Sequence, residues 1–255
     1  MKVIESVDNG KIKYLKKLGK KKFRDETGQF LVENLRIIHD AMKDGFMPVS
    51  LFVTEENANS QDERLKFVIE NMEEAFMINE KINKNFSSLV TPSGICAVFE
   101  KAENEISDGN VVYLNAINDP GNLGTILRTA LAFGIENVVV DEKCADVYNS
   151  KTISSGKDAI FKVNLVVDKN LEFLKKIKGE KKILATRLED GIGVDESFDS
   201  DKKVCVVFGN EANGISEEVA ELADGFVKID MSDRIESLNV AISAGVIFWE
   251  IWKNK

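Results

Sequence analysis

The chain of 255 residues contains one histidine, three cysteines and three prolines, and each scarcity removes a class of function. With a single histidine, multi-histidine metal sites and Ser-His-Asp hydrolysis lose their main ingredient, and no metal is expected. That residue, His39, falls in the amphipathic pattern FLVENLRIIHDAMKDG, which suggests a helix-surface position. Cys96, Cys144 and Cys205 lie far apart, with no C-x-x-C spacing, and read as reduced thiols. Long apolar runs are also lacking. The longest, Val240 to Trp249 broken only by Ser243, is well short of the ~20 residues that span a bilayer. No signal-like segment opens the chain, so a soluble, cytoplasmic protein with no membrane partner is expected. Nucleotide-binding motifs are missing too. There is no G-x-G-x-x-G, Gly156-Lys157 lacks the upstream glycine and the following Ser/Thr of a P-loop, and GIGV at 191–194 sits in an acidic loop and reads as a turn.

What is present fits one large globular domain or two smaller ones, with 44% hydrophobic residues. The net charge of -9 argues against a nucleic-acid partner, but local charge matters more than the sum. Between Lys11 and Arg24 the chain reads KIKYLKKLGKKKFR, basic at 11, 13, 16, 17, 20, 21, 22 and 24 and free of acids. A solvated helix face would account for the lysines alone. Tyr14 and Phe23 among them point further, to an RNA-facing patch.

Hydrophobic periodicity from Phe30 to Phe99 predicts helix 31–43, strand Leu51–Thr54, helix 62–72, a short strand near Phe76–Ile78, helix 79–88 and strand Ile95–Phe99. KAENEISDGN at 101–110 is polar and rich in turn residues, which places a boundary there, giving domains 1–103 and 104–255. Beyond it, apolar strands (VVYLNA, NVVV, a strand near 163–167, KILAT, VCVVF, FVKI) alternate with helices near 125–133, 170–177 and 216–223 and a terminal helix. This pattern predicts an α/β domain whose parallel sheet is covered on both faces. Ligands in such sheets bind outside the carboxyl ends of strands. Three polar segments fall there: NDPGNLGTILR at 118–128, VVFGNEANGIS at 206–216 and IDMSDRIESLN at 229–239. The last runs into a nearly all-apolar helix, where Asn239 and Ser243 read as buried polar groups that need partners.

The order N-x-x-G-x-x-x-R, then F-G-N-E-x-x-G, then S-L-N before a terminal apolar helix resembles the SpoU-type (TrmH-like) RNA ribose 2′-O-methyltransferases of the knotted SPOUT methyltransferase superfamily. SVDNGKIKYLKKLGKKKFRDETGQFLVEN is similar to the opening of the small ribosomal-protein-like (L30e-like) RNA-binding domain that many members carry in front. The resemblance implies a C-terminal α/β trefoil-knot methyltransferase domain after that small α/β domain. It also implies a homodimer and bent S-adenosylmethionine held by the knot's loops. The substrate would be RNA, with ribosomal RNA favoured and transfer RNA possible. Carried over, Arg128, Asn122, Glu211, Ser237 and Asn239 would be catalytic. Thr186, Phe208, Gly209, Asn210, Gly214, Ile229, Met231 and Leu238 would hold the cofactor.

Taken singly, these residues have plainer readings. Asn122 could cap a helix beginning near Thr125, Arg128 could be a surface residue of that helix, and Glu211 could belong to an ordinary turn. Ser237 could be an N-cap and Asn239 a satisfied first-turn group. A non-catalytic RNA-binding protein of the same fold, acting in ribosome assembly, is the rival from another class. Two departures from the family stand out. TISSGKDAIF at 152–161 has Lys157 and Asp158 where small residues are usual, and Glu33-Asn34 replaces Glu-Gly, a change asparagine would tolerate in a left-handed conformation.

Overall fold

The structure, a computed structural model, describes residues 1–198 and 202–254. The chain forms two compact units, Met1–Glu103 with Tyr148–Phe161, and Asn104–Val147 with the chain from Lys162 onward.

The first unit contains β1 (Lys2–Ile4), α1 (Gly10–Leu18), α2 (Lys21–Thr27), β2 (Gln29–Val32), α3 (Leu35–Lys43), β3 (Ser50–Thr54), α4 (Glu55–Ala58), α5 (Glu63–Glu70), β4 (Ala75–Ile78), α6 (Glu80–Phe86) and β5 (Ile95–Glu100). Its sheet has the order β1-β4-β3-β5-β2, with β5 antiparallel to both neighbours. The basic run is helical. Ile12, Leu15 and Leu18 recur at helical spacing and are buried, which leaves the lysines of α1 outside. Arg24 is not part of the exposed charge: its guanidinium is buried and donates to the Leu18 carbonyl at 2.6 Å. The helix expected over 31–43 starts only at Leu35, because Phe30 and Val32 alternate inward as a strand and Asn34 then caps the helix. Asn34 is extended (φ -148) and accepts from the Ile37 amide, so capping rather than left-handed tolerance explains asparagine here. His39 is less exposed than a helix-surface reading suggests, its ring packed edge-on against Phe67 at 5.3 Å.

The segment Tyr148–Phe161 follows the second unit's β7 in the chain yet packs with the first unit. Phe161 stacks near Phe30, Phe46 and Phe99, Tyr148 lies against Phe30, and Ile153 joins the same buried cluster. It contains α8 (Ser150–Gly156) and the start of α9 (Ala159–Lys162).

The second unit contains β6 (Val111–Leu114), α7 (Pro120–Ala132), β7 (Asn137–Asp141), β8 (Asn164–Asp168), α10 (Glu172–Ile177), β9 (Lys182–Thr186), β10 (Ile192–Gly193), β11 (Val204–Phe208), α11 (Glu217–Leu222), β12 (Gly225–Lys228) and α12 (Val240–Lys253). The sheet is parallel throughout, in the order β10-β12-β9-β11-β6-β7-β8. β6, β7 and β11 are buried along their whole length, as continuous apolar strands covered on both faces should be. GIGV contributes a strand rather than only a turn: Ile192 and Gly193 pair with Val227 and Lys228. A side chain at Gly191 would press on the Lys228 amide at 3.0 Å, which accounts for glycine beside this added edge.

All three cysteines are free and buried. Burial pushes the Cys205 thiol up to about 12 and raises Cys144 and Cys96 as well, with Asp141 adding to the effect at Cys144 and Glu33 at Cys96. A thiol in the unfolded chain ionises near pH 8.5, where the folded thiols still hold their protons. The stability contributed by these buried thiols is therefore fully present below about pH 8.5 and is expected to be lost toward pH 12, through the raised value of Cys205. Denaturant midpoints measured across this range check it. At neutral pH, thiol-reactive dyes should label the native protein far more slowly than the unfolded chain.

Candidate active site

The carboxyl ends of β9, β11 and β12, together with the start of α12, enclose a cavity of about 690 Å³. β11 ends at Phe208 and the chain then turns tightly. Asn210 and Gly214 exchange two backbone hydrogen bonds, at 2.8 and 2.9 Å, with Gly214 at φ 67. The Asn210 side chain holds the turn from within, accepting from the amides of Ala212 and Asn213 while its Nδ2 donates to the Ala116 carbonyl. Gly209 has no room for a side chain, because a Cβ there would lie closer than 3.0 Å to the Gly214 carbonyl and the Ile215 nitrogen.

Thr186, Phe208, Gly209, Asn210, Gly214, Ile229, Met231 and Leu238 all line this cavity, and so do Glu211 and Ser237. The walls combine backbone edges of the 209–215 loop with apolar side chains of Val227, Ile229, Leu238 and Ile247. Glu189, Asp190, Glu211 and Glu217 set a mainly acidic rim among the described residues, with Arg187 the basic exception. Such a rim favours a ligand carrying positive charge.

Asn122, Glu211 and Asn239 meet although they come from distant parts of the chain. Asn122 Nδ2 donates to Glu211 Oε1 at 2.6 Å, and Asn239 Nδ2 donates to Asn122 Oδ1 at 3.0 Å. Asn239 Oδ1 in turn accepts from the amides of Ala241 and Ile242, which caps α12. The plainer readings can now be decided for two residues. Asp119, not Asn122, caps α7, accepting from the Asn122 amide at 2.9 Å; with Pro120 in its first turn the helix starts well before Thr125. The N-cap of α12 is Asn239, not Ser237, and Asn239 is exposed rather than buried because the helix begins at the protein surface. Ser237 makes no side-chain hydrogen bond among the described residues.

Arg128 stands apart. It is exposed on α7, does not line the cavity and has no ion pair or hydrogen bond among the described residues. Several contributors were missed in the sequence. Arg187 stacks on the Phe226 ring, 3.7 Å from its centroid, at the cavity's edge, and Ile247 of α12 faces the same space, as does Ser243, which the sequence singles out as buried and which is half-buried. Arg187 directly follows the strand KILAT, so the strand-end rule that found the other loops also points to it.

A model of the SpoU rRNA Methylase family matches residues 109–249. The chain belongs to this family. A model of the MRM3-like substrate binding domain matches residues 9–97 ahead of it. Similarity to the Bacillus subtilis 23S rRNA (guanosine(2553)-2′-O)-methyltransferase RlmP runs the length of both proteins, with 32% identity over 98% of this chain and 99% of that one. The mouse mitochondrial rRNA methyltransferase 3 is 26% identical over 89% of this chain and 68% of its own length. Among solved structures, the AdoMet-bound rRNA methyltransferase from Sinorhizobium meliloti superposes with a TM-score of 0.84 at 26% identity, covering 99% of this chain and 97% of that one. The SpoU-family chain thus has the α/β architecture and parallel sheet of methyltransferases solved before.

Proposed function

We propose that this SpoU-family protein transfers a methyl group from S-adenosylmethionine to a ribose 2′-hydroxyl of ribosomal RNA. The carrying observation is the cavity at the strand ends, edged by a loop that excludes any side chain at Gly209, with Glu211 on its wall tied to Asn122 and through it to Asn239, which both lie outside the lining. Its residues suit this cofactor. Ile229, Leu238 and Val227 offer apolar surface to an adenine, the loop offers backbone groups, and the acidic rim suits a ligand that is cationic at sulfur and at its amino group. S-adenosylmethionine supplies a methyl group on positively charged sulfur, which departs with the bonding electrons as the ribose oxygen attacks.

The protein's work is alignment and charge stabilisation. The hydrogen-bond chain fixes both asparagine amides and occupies one Glu211 oxygen, leaving the other to orient a ribose hydroxyl. Arg128 offers a planar, bidentate cation rather than a base. It binds an RNA phosphate and stabilises the developing alkoxide, while phosphate or water takes the proton. Calorimetry with S-adenosylmethionine tests the reading: saturable one-site binding is expected, and no binding at millimolar ligand would refute it.

In this account residues 1–103 form an L30e-like domain that binds the RNA, and residues 104–255 form the catalytic domain, its C-terminal segment threaded as a trefoil knot. Lys16, Lys17, Lys20 and Lys21 support the RNA role, being exposed and without salt bridges among the described residues. Neutralising Lys16, Lys17, Lys20, Lys21 and Lys22 together is expected to weaken RNA binding at least tenfold and flatten its salt dependence, as filter binding at two salt concentrations would read. A homodimer is supported by one face of α12. There Trp249 and Trp252 stack at 5.2 Å beside Phe133, both tryptophans nearly half exposed, with Ile242 also open. The protein would act in the cytoplasm, where its RNA is made.

A further inference from the structure

A buried polar network stands behind the proposed cofactor loop. Asp141, at the end of β7, and Asn115, just past β6, are 6% and 2% exposed. Asp141 accepts from Asn115 Nδ2 at 2.7 Å, from the Ala116 amide at 3.0 and 3.1 Å, and from the Lys143 amide at 3.0 Å. Asn115 Oδ1 accepts from the Ser216 amide at 2.8 Å, and the Asn115 amide donates to the Phe208 carbonyl. The Ala116 carbonyl accepts from Asn210 Nδ2. One carboxylate therefore reaches both ends of the 209–215 loop, Asn210 through Ala116 and Ser216 through Asn115.

Ala116 shows how firmly the arrangement is held. Its φ is 57, a left-handed conformation that a residue with a side chain rarely adopts and that persists only where the surroundings fix it. Here its amide is held by Asp141 and its carbonyl by Asn210. We infer that Asp141 and Asn115 are positioning residues for methyl transfer, setting the loop that carries Gly209 and Glu211. The inference rests on the cofactor reading given above.

Hydrogen-bond polarity makes it testable. In Asp141→Asn, the new amide nitrogen meets a donor either way round, Asn115 Nδ2 in one orientation and the Lys143 amide in the other; turning Asn115 over only moves the conflict to the Ser216 amide. Asn115→Asp sets two carboxylates against each other. The double exchange Asn115→Asp with Asp141→Asn restores the pairing between the two side chains, because the new carboxylate accepts from Ser216 and from the new amide, whose oxygen still serves Lys143 and keeps the 3.1 Å bond from Ala116.

Cofactor Kd by calorimetry and melting temperature would be measured for all four proteins. Each folded single variant is expected to bind S-adenosylmethionine at least tenfold more weakly, and the exchange to return to within threefold of the unaltered protein. A merely structural network would lower the melting temperature of the single variants and leave their Kd unchanged below it. That result overturns the inference, as does an exchange variant that fails to fold or binds no better than the singles. If a single variant does not fold, the exchange variant's Kd against the unaltered protein decides. No binding by the unaltered protein would refute the cofactor assignment and this inference with it, whereas binding by it and by folded single variants alike refutes the inference alone.

Discussion

Gly209→Val is expected to abolish S-adenosylmethionine binding, weakening it at least about a hundredfold, near 2.7 kcal/mol. The first added carbon would already lie closer than 3.0 Å to the backbone of Gly214 and Ile215, so the loop must open before any isopropyl group fits. Gly214 and Asn210 would then lose the paired backbone hydrogen bonds that shape the turn. Overpacking of this kind costs about 1–3 kcal/mol in folding stability, so the variant should remain folded with a lower melting temperature. The affinity loss, read by calorimetry, should exceed what the stability loss explains. A Kd within threefold of the unaltered protein would show that the cofactor does not approach this loop.

Arg128→Ala is expected to act differently, lowering kcat by about 10²–10³ while leaving the cofactor Kd within threefold. The arginine is outside the cavity and without a partner among the described residues, so its removal disturbs neither the fold nor the cofactor walls. What is lost is the positive charge offered to phosphate and to the developing alkoxide. Arg128→Lys should recover part of the rate, since a point charge remains without the bidentate geometry. Single-turnover kinetics with bound RNA measures this, and unchanged turnover in Arg128→Ala would remove the residue from the reaction.

The second unit was legible from sequence because its strands are short, have apolar centres and mostly alternate with helices, and burial on both faces imposes that apolar character on the central strands. Two of the loops that line the cavity, within 206–216 and 229–239, followed from the same pattern, since each comes directly after a strand, whereas the 118–128 segment does not line it and the loop after β9 does. Where the reading failed, a cap or a pairing partner was decisive. Asp119 moved the start of α7 forward, Asn34 separated β2 from α3, and β12 turned part of GIGV into a strand. Asn239 looked like a buried amide because the residues after it are apolar, yet α12 keeps Ile242, Trp249 and Trp252 on an exposed face. Composition alone cannot tell such a face from a core. The Asn115–Asp141 pair was invisible for another reason: its members are 26 positions apart, and only the register of β6 against β7 brings them together.

The central claim is ribose methylation of RNA, and methyl-labelled S-adenosylmethionine incubated with bulk RNA tests it most directly. A methyl group on the 2′-oxygen blocks that oxygen from attacking the neighbouring phosphate, so the linkage survives alkali. Label is expected in alkali-resistant dinucleotides that map to ribosomal RNA. Absence of incorporation, or label recovered only in mononucleotides with a methylated base, would contradict the account.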